Sequence, residues 1–290
     1  MSELTVSQYV VEEARTPGIG WHPDLPDHLS PTQLAMFQRC PLQYFNRYVL
    51  GRKERPAEAP VIGSAVHAAL EMNFGQKIES HTDMPTAALL DWYSDVGFAA
   101  VLDDQQERAG YDVIWDTDVE RAKTRGRVML GEYHNEVSPR VQPISVEGAF
   151  SLDVRAPVPI VGRYDVLEER RTLDVKTGKR AQRKPKESWR IQGAVYNDAT
   201  GKPVEFHSVS ATENNAVTIV TPLESEELLV HLTQSELESV RQNVRYVAAQ
   251  ISLCMSLYGH ERPWVALGRF HDWACNYCGY RAGCPAWAEK

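Results

Sequence analysis

The segment at 162–178, GRYDVLEERRTLDVKTG, contains two carboxylates and a lysine that could act together. Asp174 and Lys176 are two residues apart on a predicted strand, so their side chains share one face. If the hairpin turns at the middle of EERR, Asp165 lies opposite Asp174, with Cβ atoms roughly 4.5–5.5 Å apart. A divalent cation would offset the repulsion between these carboxylates, because Mg²⁺ and Mn²⁺ prefer oxygen ligands. The pattern predicts metal-dependent chemistry with a lysine beside it, although exposed hairpins also carry ordinary surface charges.

A second group of residues with chemical potential is the cysteines. One stands near the N-terminus and the others towards the C-terminus, at Cys40, Cys254, Cys275, Cys278 and Cys284. The spacing C-x2-C-x5-C is typical of metal ligands, and the odd count disfavours a disulfide framework. Cys40 can supply a fourth ligand only if the chain ends meet, and the alternative is a zinc site completed by His260 or His271. Cys254 falls inside a predicted long helix and is expected to be a core residue.

Positive charges are concentrated directly after the predicted metal-binding strand. Seven cations fall in one short run: Lys176, Lys179, Arg180, Arg183, Lys184, Lys186 and Arg190. Along the run only Glu187 opposes them, although the whole chain has a net charge of -8. Lysine and arginine contacts to phosphate supply most non-specific affinity for nucleic acid. The run predicts a DNA-tracking surface without sequence specificity, on which Trp189 or Tyr196 could stack a base, and a solvated basic loop is the alternative.

Composition and periodicity indicate the elements that must position these residues. The chain has 290 residues, 43% of them hydrophobic, which suits a soluble globular protein and excludes a disordered one. No apolar run is long enough to span a membrane, and no secretory signal is visible. Strands are predicted at 144–154, 158–168, 172–177, 204–211 and 215–222. Helices are predicted from Ser30 and at 62–78, 86–107, 117–138, 186–198 and 224–258.

Four short motifs occur in order along the chain: GSAVH (63–67), GRYD (162–165), DVK (174–176) and QGAVY (192–196). With them the chain resembles the RecB-type PD-(D/E)xK nucleases, which include the nuclease domains of RecB and AddB and the CRISPR-associated RecB-like exonucleases. The resemblance runs from about Leu29 to Trp287. It implies a restriction-endonuclease-like α/β fold with a mixed central sheet, a helical subdomain and a C-terminus stapled by an iron–sulfur cluster.

The domain organisation follows from composition and from the resemblance together. Residues 1–28, rich in proline, glycine and acids, would be an N-terminal arm, and the resemblance makes 29–290 a single nuclease domain. Within that domain, 64–140 would form the helical region and 264–287 the cysteine-rich segment.

The resemblance also assigns roles to residues. The positions that match the family's active site are His67, Asp165, Asp174, Val175, Lys176, Gln192 and Tyr196. Mg²⁺ or Mn²⁺ would be bound by His67, the two aspartates and the Val175 carbonyl, with Lys176 as the catalytic lysine. Gln192 and Tyr196 are one turn apart on a predicted helix, so both can point at the same site. Glu147, on the strand before the hairpin, is a further candidate to approach the site.

The cysteines match the family as well. In AddB-like and CRISPR-associated relatives, one early cysteine and a late C-x2-C-x5-C hold a four-iron four-sulfur cluster. The matching residues here are Cys40, Cys275, Cys278 and Cys284. The resemblance therefore implies a structural 4Fe-4S cluster that joins the two ends of the chain.

The implied function is that of a metal-dependent DNA exonuclease acting on single strands or duplex ends. Recombination, repair, phage replication or CRISPR-type processing would be its setting, with recombination or CRISPR proteins as partners. A cytoplasmic location, in a bacterium or archaeon or as a phage-encoded protein, goes with that role. A non-catalytic DNA-binding subunit of a recombination complex is the alternative, and a zinc-stapled RNA nuclease is a third hypothesis.

Overall fold

A computed structural model describes residues 20–264 and 273–287 of the chain. The remaining parts of the expected N-terminal arm and of the cysteine-rich segment, 1–19 and 265–272, lie outside the described residues. Each helix in the described part is too short or too polar to cross a bilayer.

A six-stranded mixed sheet lies at the centre of the molecule, with the strand order β1-β2-β3-β4-β5. The strands are β1 (Ser145–Leu152), β2 (Ile160–Leu167), β3 (Thr172–Gly178), β4 (Val204–Ala211), β5 (Val217–Val220) and β6 (Leu229–Val230). β3 and β4 are parallel, and the other pairs are antiparallel. β5 and β6 share the second edge of β4, each at a different part of that strand. The mixed α/β architecture predicted from the sequence is confirmed.

The hairpin between β2 and β3 has the register expected from a turn at the middle of EERR. Val166 pairs with Leu173, and towards the open end of the hairpin the ladder stops at this pair. Beyond it, the N–H of Val175 donates a hydrogen bond of 2.8 Å to the carboxylate of Asp165. A side chain of β2 thus occupies the place where a backbone carbonyl would continue the ladder, so polar groups lie between the two strands.

Eight α-helices surround the sheet in the described part of the chain. They are α1 (Pro31–Arg39), α2 (Pro41–Tyr44), α3 (Glu58–Ser80), α4 (Thr86–Trp92), α5 (Phe98–Ala109), α6 (Val119–Glu136), α7 (Glu187–Thr200) and α8 (Gln234–Tyr258). A π-helical turn at Tyr93–Gly97 joins α4 to α5, so the helix predicted at 86–107 is one body with a local change of pitch. Gly97 is needed there, since an added Cβ would lie 2.5 Å from the Trp92 ring.

Two main apolar clusters hold these layers together. In one, α3 to α6 pack against the sheet face that carries Leu173 and Val175. In the other, α1, α2 and α8 surround the fully buried Trp264. The Trp264 ring stacks on Tyr44 with a centroid distance of 6.2 Å. Because Trp264 stands late in the chain, this cluster brings the C-terminal part of the chain against the first helices.

The predicted helix at 224–258 is wrong at its start, because α8 begins only after Thr233. Before it, Leu228 is buried and Leu229–Val230 pair with β4 as β6. The Thr233 hydroxyl accepts from the N–H of Glu236, and the Glu236 carboxylate accepts from the N–H of Thr233 at 2.8 Å. Apolar residues continue through this boundary, so periodicity alone extended the helix, whereas this capping box fixes the first turn.

Replacing Thr233 by alanine should lower the free energy of unfolding by about 1 kcal/mol, because the first turn of α8 loses its capping hydroxyl. Urea unfolding followed by circular dichroism measures the change. Thr233→Ser retains a hydroxyl and should keep most of the stability. Equal losses in the two variants would show that capping does not set the stability of this helix.

Candidate active site

Four elements meet at the open end of the β2–β3 hairpin, and each carries residues predicted from the sequence. The residues brought together are His67 of α3, Asp165 of β2, Asp174, Val175 and Lys176 of β3, and Gln192 and Tyr196 of α7. α3 approaches β3 closely at Gly63, where an added Cβ would lie 2.8 Å from Thr177 Oγ1. The small residue at the start of GSAVH therefore lets the helix bring His67 to the strand.

His67 is held between two elements of the sheet. Its Nε2 lies 2.5 Å from the carbonyl oxygen of Val175, and its Nδ1 lies 3.3 Å from Asp165 Oδ2. A carbonyl oxygen only accepts, so Nε2 carries a proton and Nδ1 faces a carboxylate. Glu147 of β1 completes the group: one ligand atom from each of His67, Glu147 and Asp165 lies within 4.8 Å of the others. A nitrogen and two carboxylates in this arrangement fit a divalent cation.

The pKa values in this group reflect the crowding of charges. Burial alone would lower the pKa of His67, but the charge of Asp165 and their hydrogen bond raise it to about 9. Burial would raise the pKa of Asp165, yet the charge of His67 and its hydrogen bond, with help from Lys176, hold it below its ordinary value. Burial and the charge of Asp165 raise the pKa of Glu147 to about 7. The carboxylates of Glu147 and Asp165 are therefore close enough for the charge of one to disfavour the charge of the other.

Asp174 is the most deeply buried acid of the site, with 1% of its surface exposed. Within the described residues neither of its oxygens accepts a well-aligned hydrogen bond, although Lys176 Nζ lies 2.6 Å from Oδ1. Burial raises its pKa, the charge of Asp165 raises it further, and Lys176 opposes both. A buried carboxylate with so few partners is costly unless a cation compensates it, which agrees with a metal site. Asp174 lies outside the three-residue group, so its role as a metal ligand stays a prediction.

The Val175 carbonyl was also predicted to bind the metal. Here it accepts the hydrogen bond of His67 Nε2, and its role as a ligand likewise stays a prediction.

Glu147 is predicted from the sequence only as a candidate to approach the site, and not as a metal ligand. The pairs on either side of it, Val146 with Val166 and Gly148 with Tyr164, leave Glu147 itself out of the ladder. Its φ is 49°, a left-handed conformation that is uncommon without glycine and often marks a functional site. Strict alternation put this side chain on the outward face of a regular strand. The following glycine was the available signal, because the Tyr164 ring occupies the space where a Cβ of Gly148 would lie.

A chain of hydrogen bonds connects α7 to both strands of the hairpin. Lys176 Nζ donates to Gln192 Oε1 at 2.7 Å, and Gln192 Nε2 donates to the hydroxyl of Tyr196 at 2.7 Å. The Tyr196 hydroxyl in turn donates to the carbonyl oxygen of Arg163. The two members of the Q-x-x-x-Y motif thus position the lysine of β3 relative to the backbone of β2.

The six side chains predicted to contact DNA are all exposed: Lys179, Arg180, Arg183, Lys184, Lys186 and Arg190. Acids distant in sequence neutralise part of this run. Lys179 pairs with Asp116 at 2.8 Å, and Lys184 pairs with Glu227 at 3.0 Å. Exposed pairs of this kind contribute between 0 and about 1 kcal/mol, so a phosphate can replace the carboxylate. Contact of these residues with DNA stays a prediction.

The two ends of the described chain meet near the cysteines. The contact is made by the Tyr280 hydroxyl, which donates to the carbonyl oxygen of Arg52 at 2.8 Å. Within the cysteine segment, the N–H of Cys278 donates to the carbonyl of Cys275 at 3.3 Å and closes a local turn. Burial raises the pKa of the Cys278 thiol, although a backbone N–H lowers it, and Glu54 and the nearby thiols of Cys40 and Cys284 raise it further.

These thiols do not form a compact single-ion site. In the segments that the structure describes, no three cysteine sulfurs lie within 4.8 Å of one another. Of the two histidines considered for zinc, His260 has Nε2 3.5 Å from Asp24 Oδ2, and His271 lies outside the described residues. Cys254 is buried inside α8, as expected.

Comparison with known proteins identifies the class that this fold and site define. A family model described as the PD-(D/E)XK nuclease superfamily matches residues 28–285, and the chain belongs to this superfamily. Its members are hydrolases that use divalent metal ions. None of the curated proteins matches the chain in sequence.

Two solved structures are similar to the chain at low identity. One is a candidate exonuclease from Eubacterium rectale, 13% identical, with a TM-score of 0.48, covering 89% of this chain and 88% of its own. The other is SSO0001, 10% identical, with a TM-score of 0.33, covering 82% of this chain and 89% of its own.

Glu147→Gly should weaken Mn²⁺ binding without lowering the unfolding temperature. Glycine adopts a φ of 49° at little cost, whereas a side chain there is strained by roughly 1 kcal/mol or more. Titration calorimetry and a thermal melt measure the two effects. Glu147→Gln keeps the strain and should weaken binding, and at pH 5.5, where Glu147 itself is mostly uncharged, it should give no gain in stability. Unchanged Mn²⁺ affinity in both variants would remove Glu147 from the metal site.

Proposed function

We propose that this nuclease is a DNA exonuclease that hydrolyses phosphodiester bonds in single strands or at duplex ends with Mg²⁺ or Mn²⁺. The observation that carries the proposal is the convergence of His67, Glu147 and Asp165 beside the buried Asp174 and Lys176. These residue types suit an oxygen-preferring cation next to a lysine, and they lie at one end of a sheet rather than scattered over the surface. The exonuclease mode is supported by the resemblance of its four motifs to RecB-type enzymes.

The chain's own residues have separate tasks in this reaction. His67, Glu147 and Asp165 would hold the metal ion, and Asp174 would add a third carboxyl group as a fourth ligand. The ion, when bound, supplies Lewis-acid polarisation of the phosphoryl group and activation of the attacking water. Lys176, 21% exposed, is fixed by Asp174 and by Gln192, so its ammonium is held where negative charge develops on the phosphate.

The exposed cations at 179–190, in the loop after β3 and in the first turn of α7, would guide the DNA strand into this site. The first of them, Lys179, directly follows β3 and is three residues from Lys176. A phosphate bound by Lys179 would therefore be near the strand that carries the catalytic lysine. Their contacts are with phosphates, which predicts little sequence preference and strong salt dependence. Recombination, repair, phage replication or CRISPR-type processing, with proteins of those systems as partners, would be the biological setting.

Asp174→Asn should abolish cleavage of labelled DNA, with a loss of at least about 100-fold in rate. The amide keeps the shape of the side chain but lacks the charge that compensates Lys176 and the metal ion. Single- and double-stranded, linear and circular substrates are assayed with Mg²⁺, Mn²⁺ or EDTA, and linear-only cleavage indicates an exonuclease. Asp104→Asn, at an exposed acid of α5, is the matched control.

Equal activity of Asp174→Asn and wild type would contradict the assigned active site. Binding of DNA without any cleavage by wild type would instead support the non-catalytic DNA-binding subunit. Preferential cleavage of RNA would favour an RNA nuclease.

We also propose that Cys40, Cys275, Cys278 and Cys284 hold a 4Fe-4S cluster. Support comes from the meeting of the chain ends and from the electrostatic influence of Cys40 and Cys284 on Cys278. Iron–sulfur clusters are held by cysteine thiolates in such sets.

Cys278→Ala should yield protein without iron, labile sulfide or brown absorbance, and with reduced stability, because one thiolate is lost. Iron, zinc and sulfide are measured on anaerobically purified protein. Cys254→Ala is the control, since Cys254 lies inside α8 and is not one of the four proposed ligands, and it should retain the cluster. Zinc without iron in wild type would overturn the cluster and support a zinc staple.

A further inference from the structure

We infer that Arg163, which lies beside Glu147, contacts the phosphate that is cleaved. This inference rests on the proposed nuclease function. Arg163 belongs to β2, two residues before Asp165, so both side chains leave the strand on the same side. Its side chain is 62% exposed, and its Nη1 lies 3.7 Å from Glu147 Oε2. A guanidinium therefore lies at the open side of the three-residue metal group.

The position of Arg163 is fixed through its backbone while its side chain remains accessible. The Tyr196 hydroxyl donates to the Arg163 carbonyl oxygen, at the end of the hydrogen-bond chain from Lys176 through Gln192. The same chain therefore links the backbone of Arg163 to the ammonium group of Lys176. With Arg163 beside Glu147 and Lys176 beside Asp174, two positive groups are available to different oxygens of one phosphate.

The two cations differ in how closely each is paired with an acid and in how exposed each is to solvent. Lys176 is mostly buried and lies 2.6 Å from Asp174 Oδ1 and 2.7 Å from Gln192 Oε1. Arg163 has a longer contact of 3.7 Å with Glu147 and is largely in solvent. Binding of a cation by Glu147 would compete with that contact and leave the guanidinium free for an anion. The planar fork of arginine matches two oxygens of a phosphate.

Loss of the contact between Arg163 and phosphate should lower both the affinity for DNA and the rate of cleavage. A hydrogen-bonded contact between ionised groups changes affinity or rate by about 10- to 100-fold. Each phosphate contact also contributes about 0.7 to the slope of log affinity against log salt for single strands, and about 0.9 for duplexes. Arg163→Gln should therefore lower kcat/KM by about 10- to 100-fold and reduce the salt slope by one contact, whereas Arg163→Lys should recover part of both.

The experiment compares Arg163→Gln with Arg170→Gln, which removes an exposed arginine from the turn of the same hairpin. Cleavage is measured in the otherwise wild-type chain. DNA binding at several salt concentrations is measured with Asp174→Asn added to every variant, so that the strand stays intact. Mn²⁺ binding is measured separately by calorimetry, and thermal melts confirm that the variants fold.

Three results overturn the inference. Cleavage and salt slope equal to those of Arg170→Gln would show that Arg163 does not contact phosphate. Tighter Mn²⁺ binding by Arg163→Gln, with an unchanged salt slope, would show that Arg163 only neutralises Glu147. The inference would also fail if Arg163→Lys lowered kcat/KM as much as Arg163→Gln does and neither variant changed the salt slope of DNA binding. Absence of cleavage by wild type would contradict the proposed nuclease activity, whereas the salt slope would still report on the phosphate contact.

Discussion

The site depends on two hydrogen bonds made by the backbone N–H and carbonyl groups of Val175. Its N–H donates to the carboxylate of Asp165, and its carbonyl oxygen accepts from His67 Nε2. On its other edge, Val175 lies in the regular parallel pairing of β3 with β4. One residue thus joins β2, β3 and α3 through backbone hydrogen bonds to side chains. Because buried backbone groups must be paired, the opening of the hairpin is possible only where these two side chains replace the missing ladder.

Part of this arrangement could be predicted from the sequence because it follows from local rules. The register of the hairpin follows from a symmetric turn at EERR, and it brings Asp165 and Asp174 to facing strands. The period of two in β3 puts Asp174 and Lys176 on one side, and the period of the helix does the same for Gln192 and Tyr196. The mixed α/β class followed from the change from helical to alternating patterns near 140. These are contacts between residues close in sequence or related by one turn.

The rest depended on contacts that no local pattern records. Glu147 enters the metal group because its backbone takes a left-handed conformation, which the alternation of β1 does not show. Asp116 and Glu227, far from the basic loop in sequence, reduce its effective charge, so a count of cations along the chain overstated it. The start of α8 was missed because β6 continued the apolar pattern, while the capping chemistry at Thr233 set the boundary. In each case tertiary structure decided between options that the sequence left open.

The helix that carries His67 connects the site to the junction of the chain ends. Glu58, in the first turn of α3, is buried, pairs with Arg125 and accepts from the N–H groups of Asp116 and Thr117. A carboxylate there also suits the positive end of the helix. The loop before Glu58 includes Arg52, whose carbonyl accepts from Tyr280 near the cysteines. The C-terminal segment therefore contacts the loop that leads into the helix carrying His67, whose first turn is held by the contacts of Glu58.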